Sequence, residues 1–94
     1  MVKGGKYMIK SNRTLEQKQK IRDYLTYKGY PTLESFGEAV GMEKQHIWVR
    51  VEGKCNPDIT TMFRWADALH CNLITVISLF YPNEYKEYKQ KREK

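Results

Sequence analysis

Apolar residues recur at helical spacing through the middle of the chain, and no useful length of strand-like alternation interrupts them. Thr14-x-x-Gln17 has the form of a capping box, in which a hydroxyl receives an early helix N–H and the third residue answers the cap backbone. After it, Ile21, Tyr24, Leu25 and Lys28 keep to one helix face, and Gly29 suits a C-terminal cap. Tyr30-Pro31 breaks the pattern. Thr32 then opens a second helix with Phe36 and Val40 inward and Gly41 at its end. The spacing predicts a third helix over about Glu43 to Val51, with Ile47 and Val51 as its inward pair and Gly53 as terminator.

Asn56-Pro57-Asp58 reads as a loop and N-cap. A fourth helix follows, with Ile59, Met62, Phe63, Ala66 and Leu69 as its apolar stripe and Trp65 as a packing residue among them. Asn72 is placed to cap a fifth, with Leu73, Val76, Ile77 and Phe80 inward and Pro82 just past its end. Five short helices over residues 14–82, with no internal repeat, predict a compact all-α bundle.

Length and composition agree with one such unit. Ninety-four residues make a single small domain, and 40% hydrophobic residues supply one core. No apolar stretch approaches the ~18–20 residues of a membrane span, and MVKGGKYMIK lacks the apolar run of a secretory signal. Cys55 and Cys71 form no C-x-x-C pair, which favours a reducing cytoplasm. With His46 and His70 they match none of the usual zinc spacings, so neither metal nor cofactor is expected. No Ser/His/Asp or paired-carboxylate arrangement is legible, and the chain is not expected to be an enzyme.

Charge changes the picture less than its total suggests. Lys and Arg number 17 against 11 Asp and Glu, a net charge of +6, which points to an acidic partner such as nucleic acid or an anionic membrane. Residues 1–13 carry Lys3, Lys6, Lys10 and Arg13 and no acid, whereas residues 83–94 carry five bases and three acids. Residues 14–82 hold eight of each, so the central unit is formally neutral. The two ends, a basic arm over 1–13 and a Tyr/Lys-rich tail over 83–94, read as flexible, disordered or weakly helical. Lys-Gly-Gly-Lys-Tyr before Met8 also matches a translated purine-rich ribosome-binding sequence. Residues 1–7 are therefore read either as mistranslated leader or as a true arm, and the codons of Gly4 and Gly5 decide.

The stretch TLESFGEAVGMEKQHIWVRVEGKCNPDITTMFRWADALHCNLITVISLF resembles the Cro/repressor-type (xenobiotic-response-element-type) helix-turn-helix domain. The resemblance rests on an ordered set: Gly41 in the turn, Met42, Ile47, Gly53-Lys54, Asn56-Pro57, Ala66, Ala68-Leu69, Leu73 and Leu79-Phe80. It spans nearly all of residues 14–81. It implies a lambda-repressor-like fold in which helix 43–51 enters the major groove of double-stranded DNA, with two copies pairing as a homodimer. With Ile47 and Val51 inward at about 100° per residue, Gln45 and Val49 point nearly opposite, Trp48 and Glu52 lie beside them, and His46 flanks the other side. The resemblance then makes Lys44 and Gln45 the first base readers, with Trp48 and Val49 against thymine methyls. Thr32, His46, Arg50, Lys54 and Asn56 become candidates for backbone phosphates.

The implied function is a sequence-specific transcriptional regulator of the repressor kind. Three positions depart from the family or stand out within it. Leu33 stands where relatives usually have Gln, Glu52 places an acid where many have a neutral or basic residue, and Gly37 costs helix stability relative to Ala. Two other readings stay open. One is an antitoxin or adaptor whose main partner is a protein such as a toxin, met by the Trp48 face or by Tyr81, Tyr85 and Tyr88. The other is a helix-turn-helix fold that has lost DNA binding, for which Leu33 and Glu52 speak.

Overall fold

The computed structural model describes residues 13–92, and within them six helices form. They are α1 (Leu15–Tyr27), α2 (Leu33–Val40), α3 (Lys44–Val51), α4 (Ile59–Ala68), α5 (Leu73–Phe80) and α6 (Pro82–Arg92). Side-chain caps set three of the six starts. The Thr14 hydroxyl accepts from the Gln17 N–H, and Gln17 Oε1 accepts from the Thr14 N–H, each at 3.0 Å. Thr32 and Ser35 repeat the device at α2, at 3.0 and 3.3 Å. Asp58 accepts from the Thr61 N–H at 2.8 Å, and those Thr61 hydrogen bonds hold its carboxyl below the usual aspartate range. Asn72 occupies the N-cap of α5, but its side chain makes no capping hydrogen bond.

The helix count is a correction, six rather than five. Pro82 does not merely follow α5. It opens α6, at the first helical position, where the missing N–H leaves no donor unmet. The tail expected to be flexible, disordered or weakly helical is helical as far as Arg92. The basic arm up to Asn12, and the leader reading of residues 1–7, lie outside the described residues.

A column of aromatic rings runs through the core. Trp65 meets Phe36 edge-on at 5.2 Å and Phe80 at 5.1 Å between ring centroids, and Tyr30 extends the column against Phe36 at 5.3 Å. Around it lie Ile21 and Leu25 of α1, Leu33 of α2, Ile47 and Val51 of α3, and Val76 and Leu79 of α5. Helix α1 packs against α3 and α5, α2 against α3 and α4, and α5 against α4 and α6.

The stripe of α4 is rotated from the expected one. Met62, Trp65, Ala66 and Leu69 are buried, while Ile59 and Phe63 are 51% and 58% exposed. Both sets satisfy helical spacing, and the indole, the largest side chain available, decides between them. In α5, Val76, Leu79 and Phe80 are buried and Leu73 and Ile77 only half-buried.

Helices α2 and α3 are joined by Gly41, Met42 and Glu43. Gly41 takes the left-handed conformation at φ 74°, which a side chain would strain, and the Met42 N–H returns to the Gly37 carbonyl at 2.9 Å. A Cβ on Gly37 would fall against the Met42 carbonyl oxygen. Gly→Ala within a helix ordinarily stabilises by about 1 kcal/mol. Here the close approach reverses the sign, and Gly37→Ala is expected to destabilise by about 1–3 kcal/mol in urea titrations. A more stable variant would mean that the corner yields to the methyl.

Among the described residues no helix is long and apolar enough to cross a membrane, and no group of three or more His, Cys, Asp or Glu is placed to hold a metal ion. Cys55 is exposed and Cys71 half-buried, and neither is in a disulfide.

Candidate nucleic-acid interface

Helix α3 buries Ile47 and Val51 and turns the rest of its eight residues toward the surface. Lys44, Gln45 and His46, its first turn, are exposed. Trp48, Val49 and Arg50 are half-buried. Of the four candidate base readers, the two at the helix start are therefore exposed and the two in the second turn half-buried.

The chain after α3 folds back onto it. The N–H groups of Lys54 and Cys55 both reach the Val49 carbonyl, at 3.0 and 3.4 Å. This turn brings Lys54 Nζ to 5.9 Å from the centre of the Trp48 ring, a cation–π distance at the outer edge of α3. Arg50 lies along its own helix, with Nη1 donating to the His46 carbonyl at 2.8 Å and Nε buried without a hydrogen-bond partner. Thr32 is exposed at the end of α2 remote from the turn. Its hydroxyl oxygen accepts in the cap, and its O–H is left to donate.

Two departures from the expected pattern have structural occupations. Leu33 is buried in the core. Glu52 turns from the α3 face toward α1, where Lys18 Nζ stands 2.9 Å and Arg22 Nη2 3.8 Å from its carboxylate oxygens. These cations offset its charge beside the exposed residues. As a stabilising contact such a partly exposed pair contributes little, on the order of 0–1 kcal/mol.

Arg13, read from sequence as part of the basic arm, is 8% exposed and is the one buried charged residue described. Nε donates to the carbonyls of Arg50 and Val51 at 3.3 and 3.0 Å, and Nη2 donates to the Arg50 carbonyl at 2.8 Å. Nη1 donates to the Phe80 carbonyl at 3.0 Å, and Nη2 also reaches Asn56 Oδ1 at 2.7 Å. The guanidinium rests 5.2 Å from the centre of the Phe80 ring. One cation thus serves the C-terminal carbonyls of both α3 and α5, where the helix dipole favours positive charge. Burial lowers its pKa from the usual arginine value, opposed by Tyr81, Cys55 and Glu84.

Tyr81 completes the support of the loop. Its hydroxyl donates to the Pro57 carbonyl at 2.8 Å, and burial, then Glu84, raise its pKa. Asn56 is therefore held from two sides, by Arg13 through its side chain and by Tyr81 through the next carbonyl. Neither Arg13 nor Tyr81 stood out in the sequence as a support of this loop. The general signal was present, since two helix ends need donors, but no local spacing says which residue supplies them.

The structure brings Lys44, Gln45 and His46 together on one turn, Trp48 together with Lys54, and Asn56 together with Arg13. Comparison with protein-family models, with curated proteins and with solved structures finds no match.

Proposed function

We propose that this chain is a sequence-specific DNA-binding regulator of transcription, a Cro/repressor-type helix-turn-helix protein that works as a homodimer. The observation that carries this reading is the pair α2 and α3, joined through left-handed Gly41, with Lys44, Gln45 and His46 exposed together at the start of α3. In a major groove, Gln45 has the paired donor and acceptor that match adenine, and Lys44 can reach guanine or a phosphate. Lys54, Thr32 and Asn56 supply donors for the phosphate backbone. The reading calls for no catalysis, metal or cofactor.

Selection of bound fragments from random DNA, at a stated salt concentration, tests it. A palindromic consensus is expected, its half-sites about one helical turn, or 34–36 Å, apart. Weak, salt-sensitive binding without a consensus would overturn it. Gln45→Ala is expected to weaken binding to the selected site by about 1–3 kcal/mol while leaving thermal unfolding unchanged. Equal affinity of variant and parent in a titration would remove Gln45 from the readers.

A second reading, a module whose main partner is another protein, is favoured by a groove between α5 and α6. Its volume is about 220 Å3, and Ile74, Ile77, Tyr85 and Tyr88 line it with Glu84 at its edge. Ile74 and Tyr88 are about half exposed, apolar surface of the kind that partners or a second copy cover. The reading in which DNA binding has been lost is weakened by Leu33 and Glu52 themselves, one a core residue and the other offset by Lys18 and Arg22.

A further inference from the structure

Asn56 is an exposed residue with a constrained side chain. Arginine carries donors only, so the atom of the Asn56 carboxamide that faces Arg13 Nη2 at 2.7 Å must be the oxygen. The rest of the group is its NH2, a pair of donors on an exposed residue. The backbone that carries it is constrained as well. Asn56 precedes Pro57, which disfavours helical dihedrals at Asn56, and Pro57 is itself buried and tied to Tyr81 through its carbonyl.

We infer that Arg13 is a positioning residue that sets the polarity of Asn56, turning its NH2 outward to meet a DNA phosphate. The inference rests on the DNA-binding reading above. An unconstrained asparagine presents oxygen as readily as nitrogen, and an oxygen against a phosphate brings two acceptors together. The Arg13–Asn56 contact removes that alternative before binding, so the ordering is already present in the free protein. The same guanidinium holds the Arg50 and Val51 carbonyls, so the donor is fixed in register with the end of α3. A phosphate contact at Asn56 and base contacts from Lys44 and Gln45 are thereby set at a constant spacing.

Two substitutions at Asn56 separate this role from a structural one. Asn56→Ala removes the donor, and is expected to weaken binding to all DNA sequences alike by about tenfold per half-site. Asn56→Asp keeps an acceptor for Arg13 and strengthens it with charge, so its Tm is expected to equal or exceed the parent's. It has no proton to give, and its DNA affinity is expected to fall at least as far as that of Asn56→Ala. In the parent, the Asn56 side-chain NH2 resonances should shift when duplex DNA is added.

Parent affinity in Asn56→Ala would overturn the phosphate contact. A Tm of Asn56→Asp below the parent's would overturn the pairing with Arg13. Either result, with the parent binding its selected site, refutes the inference and leaves the DNA-binding reading intact. A parent that binds no duplex DNA refutes both.

Discussion

An Arg13→Met variant is expected to lose about 2–4 kcal/mol of folding stability, measured by urea denaturation, because it strips a charged donor from several buried acceptors at once. Methionine replaces much of the stem and its packing, so the loss isolates the guanidinium. What remains is unfavourable in itself. The carbonyls of Arg50, Val51 and Phe80 and the Asn56 oxygen lose the donors they meet in the parent. Hydrogen bonds to a charged donor contribute about 1.5–3 kcal/mol each, but the four acceptors share one side chain and their terms do not add. A domain of this length has a total stability on the order of 5–14 kcal/mol, so the loss is a large fraction of it. Arg13→Lys keeps the charge yet lacks the planar fork that spans two helix ends, and should recover only part of the loss. A change below about 1 kcal/mol for Arg13→Met would show that water replaces the guanidinium at these carbonyls.

Trp65→Ala is expected to destabilise by about 3–5 kcal/mol, the range for emptying a large aromatic site in a packed core. The ring is 1% exposed and bridges Phe36 and Phe80, at interplanar angles of 76° and 61°, so its removal opens the column at its middle. Trp65→Phe provides the instructive contrast. It keeps an aromatic ring between the two neighbours, and it deletes the indole Nε1, which is buried with no hydrogen-bond partner. Relief of that unmet donor offsets part of the lost area, so Trp65→Phe should cost less than half as much as Trp65→Ala. Equal losses in the two variants, by urea titration followed with circular dichroism, would mean that the missing volume outweighs both ring contact and donor relief.

Where a feature depends on neighbours a few residues away, the sequence was a good guide. Thr14 with Gln17, Thr32 before Leu33 and Asp58 before Ile59 mark helix starts because the cap and the group it serves are three positions apart or fewer. Gly41 marks the α2–α3 corner because its left-handed backbone is a local property. Ile47 and Val51 identify the inward side of α3, and so leave Lys44, Gln45 and His46 exposed. The sixth helix is not counted from the sequence because Pro82 reads as lying just past α5 and the charged residues after it as a disordered or weakly helical tail. At the first position of a helix proline is no stop, and Tyr85 already returns its N–H to the Tyr81 carbonyl at 2.9 Å.

The sequence alone determined that the chain is helical, where most of its helices start, and which residues of α3 face outward, because these follow from periods and caps within single turns. The tertiary structure decided the rest: the face that α4 buries, the diversion of Glu52 to Lys18, and the change of Arg13 from arm residue to buried clamp. The partners of Arg13 lie between 37 and 67 residues away in the chain. No local pattern encodes which of the many exposed-looking cations will meet two helix ends, because that depends on where α3 and α5 stop once their cores have packed.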